Sequence, residues 1–150
     1  MPNARGFKRP ESVLVVIHTR ALECLLLERV QPAGFWQSVT GSLRWDETPG
    51  EAAAREVREE TGLDAAGLRD ADVRRRFPIL PEWRARYGDG VDSNLEHVWY
   101  LELPARREIV LAPREHVGYA WLPLEDALRK VSSWTNREAL ERLRAGAAAR

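Results

Sequence analysis

Gly41-Ser42-Leu43-Arg44-Trp45-Asp46-Glu47-Thr48-Pro49-Gly50-Glu51, followed after three alanines by Arg55-Glu56-Val57-Arg58-Glu59-Glu60-Thr61-Gly62-Leu63, is the stretch on which the reading of this chain turns. Thr48 offers an N-cap hydroxyl, Pro49 suits the first helical position, and Glu51 stands three residues after the cap. Two orphan amides can thus be satisfied reciprocally, and a helix is predicted to run to about Thr61. Gly62 can take the left-handed conformation that ends it, and Leu63 can fold back onto the last turn. Within that helix Glu56, Glu59 and Glu60 share one face and repel one another; Arg55, one turn before Glu59, neutralises only part of the charge. An acidic helix face is most often a solvated surface. Carboxylates this crowded also suit a hard divalent cation. With no His or Cys beside them in sequence, Mg²⁺ or Mn²⁺ fits better than zinc.

Upstream, Ser12-Val13-Leu14-Val15-Val16-Ile17 is continuously apolar and β-branched, and Leu22 to Leu27 follows a short polar turn. Both read as central strands covered on two faces. Further strands are predicted at Trp36 to Val39, Val73 to Leu80, Leu95 to Leu103 and Tyr119 to Leu122. Arg74-Arg75-Arg76 alternates across one of them and reads as a solvated edge. A helix from about Leu124 to Val131 precedes a C-terminal one opened by a second capping box, Thr135-Asn136-Arg137-Glu138. Interleaved strands and helices make an α/β layered domain.

The chain has 150 residues and no formal net charge at pH 7. That length predicts one domain over 1–150, large enough to fold without a staple or an obligate protein partner. Balanced charge argues against a nucleic-acid partner held by field alone. The single cysteine, Cys24, lies in an apolar run and excludes an intramolecular disulfide framework. No stretch has the length of a membrane span, and Met1 to Gly6 lacks the apolar core of a leader peptide. The expected compartment is the cytoplasm, with no membrane partner.

Residues 41–63 resemble the complete box of the Nudix hydrolases, G-x5-E-x7-R-E-U-x-E-E-x-G-U with U aliphatic, at every specified position. The resemblance implies an α/β/α sandwich on a central mixed β-sheet. It also implies a loop-helix-loop that holds Mg²⁺, or Mn²⁺, against a diphosphate while water cleaves the P–O–P linkage. On that pattern Glu56 and Glu60 are metal ligands, Glu59 a further or water-mediated one, and the Gly41 carbonyl another. Arg55 and Glu47 orient the loop and helix. Family members draw the general base either from the box or from a late-loop Glu, here Glu115, which is expected to serve as an additional ligand or base.

The box implies a reaction and leaves the substrate open. Phe7-Lys8-Arg9-Pro10, Phe35 to Ser42, Arg86 to Val91 with Asn94, Leu103-Pro104 with Arg107 to Val110, and Ser133 to Arg137 resemble the branch of the family that acts on dihydroneopterin triphosphate. The match weakens over Pro78 to Arg84. The implied reaction, in folate biosynthesis, gives dihydroneopterin monophosphate and pyrophosphate. The alternatives are a nucleoside triphosphate or dinucleoside polyphosphate as substrate, or a catalytically silent, nucleotide-sensing domain. For a small-molecule triphosphate, Lys8 and Arg29 are the expected phosphate cations, with Thr40 and Ser133 as hydroxyl donors. Trp36 and Trp134 are the stacking candidates among six tryptophans otherwise expected in the core. His18, His97 and His116 are not spaced as a metal set; His116 adjoins Glu115, and a structural hydrogen bond is expected of it ahead of the alternative that it tunes that carboxylate.

Overall fold

The computed structural model describes residues 6–149. The leader reading of Met1 to Arg5 lies outside them. The chain forms β1 (Glu11–Thr19), β2 (Glu23–Arg29), β3 (Trp36–Gln37), β4 (Val39–Ser42), α1 (Pro49–Thr61), β5 (Arg69–Pro78), a 3-10 helix (Pro81–Arg86), β6 (Ser93–Leu103), β7 (His116–Pro123), α2 (Leu124–Lys130) and α3 (Trp134–Ala148). Among these residues no helix is long and apolar enough to cross a membrane.

The strands make one mixed sheet with β1 at its centre, parallel to β6 and antiparallel to β2 and β4. The expected mixed sheet between helical layers is observed. On one edge of β1, Ser12 to Val15 pair with β4, whereas β2 meets β1 only at His18 opposite Cys24 and then runs antiparallel to β3 and β7. This divergence leaves a cleft between the two branches. β1 is buried throughout apart from Glu11, because both of its faces are covered. Val13, Val15 and Ile17 pack towards α1, and Leu14 and Val16 towards α2 and α3.

Helix α1 is capped as its sequence dictates: Thr48 Oγ1 accepts from Glu51 N at 3.2 Å, Glu51 Oε1 accepts from Thr48 N at 2.9 Å, and Gly62 closes the helix at φ 74°. Ala52, Ala53 and Val57 seat it on the sheet; burying a valine of this kind contributes about 1.5–3 kcal/mol. Glu56 and Glu60 continue the same buried stripe and turn it acidic.

Helix α3 begins two residues earlier than expected. Ser133, not Thr135, is its N-cap, with Oγ accepting from Asn136 N at 3.2 Å. Thr135 and Asn136 lie buried in the first turn, where the Asn136 amide clasps Ser38 through its backbone N–H at 2.8 Å and its hydroxyl at 2.9 Å. Glu138, freed of capping duty, pairs with Arg75 on edge strand β5. Arg74 and Arg76 are exposed there, as a solvated edge requires.

Candidate active site

Arg55 ties the stretch before α1 to the helix. Its Nε and Nη2 donate to Glu47 at 2.6 and 2.8 Å, Nη2 reaches the Ser42 carbonyl at 3.1 Å, and Nη1 donates to Glu56 at 2.9 Å and Glu59 at 2.8 Å. Glu47 also accepts the Arg44 amide at 2.9 Å. The guanidinium beside Glu47 holds its carboxyl down at about 2, and the same pairing raises Arg55. Gly41 is needed for space rather than for an unusual φ: a Cβ there would land on the Glu56 carboxylate.

Glu56 and Glu60 are buried, at 8% and 3% exposure. Burial pushes the Glu56 carboxyl up to about 8 against the pull of Arg55, with Glu59 and Glu115 adding to the rise. Burial first, then repulsion from Glu56 and Glu115, raises Glu60 well above the carboxylate range, although the Thr40 amide and Arg29 oppose it. Glu60 Oε1 has no hydrogen-bond partner among the described groups. Glu60, Glu115 and His116 bring ligand atoms within 4.8 Å of one another. The orphaned Glu60 oxygen and carboxyls driven towards the neutral form are what a cation would relieve, so the donor set fits a divalent metal.

His116 departs from expectation. Both of its ring nitrogens lack partners, so the structural hydrogen bond anticipated for it is not made. It faces Glu60 at 3.9 Å. Burial and the charge of Arg29 hold the imidazole at about 4, so it is neutral at pH 7 and the two groups are not an ion pair. The oxygen-only surroundings read from sequence therefore gain an imidazole, because β7 returns to β2 and sets His116 opposite Arg29.

These groups line one end of a cavity of about 800 Å³, within the range of small-molecule sites. Lys8, Arg29, Thr40, Gly41, Glu115 and Ser133 line the same cavity. Burial lowers both Lys8 and Arg29, and Arg86 adds to it; the three cations gather opposite Glu56, Glu60 and Glu115. Arg86 opens the resembling stretch Arg86 to Val91, and no local sequence signal marks it as a member of this cation group. The Thr40 hydroxyl donates to the Val13 carbonyl at 2.9 Å, so its proton is already committed. Glu59 is half exposed, bound to Arg55 and near Arg44, and is not part of the lining.

Trp36 is not part of the lining either. Its ring lies beneath the Lys130 ammonium at 4.5 Å. Trp134, 53% exposed, and Trp83 do line the cavity, the latter beneath Arg29 at 5.7 Å. No tryptophan is fully buried, contrary to the core reading; Trp36, Trp99 and Trp121 pack against the edges of the core, each with one side open. The stretch Pro78 to Trp83, where the resemblance weakens, supplies a cavity wall. Asn94, part of the resembling set, and Glu96, which no sequence feature marked, form part of the floor.

A mixed sheet between helices, with a capped acidic helix presented to a cationic cleft, defines the class. The chain belongs to the NUDIX domain family, whose profile matches residues 8–143. It is 41% identical over 140 residues to the dihydroneopterin triphosphate diphosphatase of Escherichia coli K12, covering 90% of this chain and 92% of that one. It is 35% identical over 141 residues to the protein of the same name from Haemophilus influenzae, covering 91% and 88%. The solved structure of the E. coli dihydroneopterin triphosphate pyrophosphohydrolase superposes with a TM-score of 0.85 at 40% identity, covering 92% of this chain and 97% of that one.

The carboxyl shifts carry a prediction for the metal-free protein. Glu56 and Glu60 have folded-state pKa values above their unfolded ones, so folding binds protons and their contribution is lost as pH rises through the folded values. His116, lowered, acts oppositely, but only below its unfolded value of 6.5. Between about pH 6.5 and 8 the melting temperature without metal is therefore expected to fall, and saturating Mg²⁺ to flatten or reverse the slope. Scanning calorimetry with EDTA and with Mg²⁺ checks this; identical slopes would contradict a metal seat at these carboxyls.

Proposed function

We infer that this chain is a divalent-metal-dependent hydrolase that converts dihydroneopterin triphosphate and water to dihydroneopterin monophosphate and pyrophosphate. The observation that carries it is one cavity holding the buried carboxyls of Glu56 and Glu60 at one end, the latter with an unpartnered oxygen, three cations beside them and aromatic walls, in a chain similar over most of its length to proteins named for this reaction.

Glu56, Glu60 and Glu115 would hold the metal, with the Gly41 carbonyl on the same wall and His116 against Glu60. Bound there, Mg²⁺ neutralises phosphoryl charge and lowers the pKa of a coordinated water. Arg55 keeps Glu56 oriented while Glu47 and the Ser42 carbonyl hold Arg55 itself, and Glu59 completes that clamp. Lys8, Arg29 and Arg86 bind the triphosphate oxygens. Glu115, the exposed carboxylate of the set, takes the proton of the attacking water. The Ser133 hydroxyl accepts from Asn136 N as an N-cap, lies 3.4 Å from the Thr135 hydroxyl, and donates to the substrate. Trp134 and Trp83 offer faces to the ring in place of Trp36. The ordinary Mg²⁺ content of a cell suits the oxygen-rich donors, and the cytoplasm is the compartment this reading assigns.

The test is kcat/KM for dihydroneopterin triphosphate beside the four common dNTPs and a dinucleoside polyphosphate, with Mg²⁺ and with Mn²⁺. A preference of at least tenfold for the pterin supports the reading. Equal or faster turnover of a nucleotide would overturn the substrate while leaving the metal chemistry in place.

A further inference from the structure

We propose that Glu96 and Asn94 form a subsite that reads the 2-amino-4-oxopyrimidine edge, the donor-rich edge that a pterin shares with guanine. The proposal rests on the reading of the cavity as a site for a heterocyclic triphosphate. Strand alternation puts both residues on the face of β6 that continues as Val98 and Tyr100 and packs towards α3. Apolar side chains would be expected there. Instead a carboxylate and an amide stand at 5% and 3% exposure, and both line the cavity that holds Glu56 and Glu60.

Each keeps one oxygen that the protein leaves unsatisfied. Glu96 Oε1 and Asn94 Oδ1 have no partner. The Asn94 amide N–H₂ donates to Ser12 Oγ at 2.8 Å, and the Thr135 hydroxyl is the hydrogen-bonding neighbour of Glu96. Two polar side chains nearby are engaged elsewhere: Asn136 binds Ser38 through both ends of its amide, and Arg75, opposite Glu96 in the β5–β6 register, pairs with Glu138. With no cation beside it, burial pushes the Glu96 carboxyl up to about 7. An unmet buried acceptor is destabilising unless a ligand supplies its donor. The floor therefore shows a ligand two unmet acceptors, Glu96 Oε1 and Asn94 Oδ1.

The bases differ in how they answer that pattern. Adenine and cytosine set an amino donor beside a ring-nitrogen acceptor, which would face a carboxylate lone pair to lone pair. Uracil and thymine flank one N–H with two carbonyls. Only the 2-amino-4-oxopyrimidine edge among these presents two adjacent donors, the ring N–H and the 2-amino group, which a carboxylate accepts bidentately. Phe77, paired with Asn94 across the β5–β6 ladder, and Trp134 line the same space and offer faces to the ring.

The experiment compares wild type with Glu96→Gln, whose amide replaces one acceptor by a donor. Binding of dihydroneopterin, the ring without phosphates, is titrated by fluorescence in EDTA. In parallel, kcat/KM is measured for dihydroneopterin triphosphate, dGTP, dATP and dTTP. The expected result is a 10- to 100-fold weaker dihydroneopterin affinity and a similar loss of kcat/KM for the pterin and dGTP, with dATP and dTTP changed by less than about threefold. Equal losses on all four substrates, or undiminished dihydroneopterin binding, would overturn the subsite. If wild type turns over ordinary nucleotides better than the pterin, the proposed function fails, and the dGTP-to-dATP ratio in the two proteins still decides the subsite. Melting curves check folding, and Asn94→Ser, which shortens the second acceptor, makes the same discrimination should Glu96→Gln misfold.

Discussion

Glu60→Gln is expected to lower kcat by two to three orders of magnitude, about the size of effect seen when one electrostatic contact to a transition state is removed, while leaving the fold intact. The amide matches the carboxylate in shape, and its oxygen can still accept the Thr40 amide that now bonds Glu60. What disappears is a buried negative charge that burial and Glu56 already disfavour. The metal-free melting temperature should therefore stay level or rise, and the rise on adding Mg²⁺ should shrink. A variant that loses its fold along with its activity would mean that Glu60 supports the core and that its role at the metal has been misjudged.

Arg55→Ala should behave in the opposite way and lose stability and turnover together. The guanidinium is 16% exposed and meets Glu47 and Glu56, each 10% exposed, so its removal strands two largely buried carboxylates. Breaking such a pair from one side costs several kcal/mol in a dry setting, and with residual solvent access about 2–3 kcal/mol is expected. For a domain of this size that amounts to a fall of about 5–10 °C in melting temperature. Arg55→Lys should recover part of the stability but little activity, since a single ammonium cannot fork across Glu47 and still reach Ser42, Glu56 and Glu59. Unchanged melting with lost activity would place Arg55 on the substrate rather than in the clamp.

The contrast between these variants follows what was and was not legible in the chain. Helix α1 could be read to the residue because its signals are local: Thr48, Pro49, Glu51 and Gly62 act within one turn of where they stand. The pairing of Glu47 with Arg55 was legible for a related reason, since a capped helix fixes their separation. Ser133 and Thr135 both begin plausible caps, and only the burial of Asn136 against Ser38 selects the first. Trp36 and Trp134 looked equivalent as stacking rings, yet one turns to Lys130 and the other to the cavity, a choice made by strand pairing at β3 and by the start of α3. Glu96 alternates with apolar residues like any solvent-facing strand residue. It is buried because β6 lies inside the sheet beneath α3, which is tertiary information. His116 meets Glu60 through the β2–β7 register, and the sequence interval between them gives no hint of it.

The account stands most directly on the products of one incubation: dihydroneopterin triphosphate with the purified chain, followed by phosphorus NMR with Mg²⁺ and with excess EDTA. The account predicts stoichiometric pyrophosphate and dihydroneopterin monophosphate in Mg²⁺ and intact triphosphate in EDTA. Orthophosphate as the released product, or turnover that persists in EDTA, would contradict it.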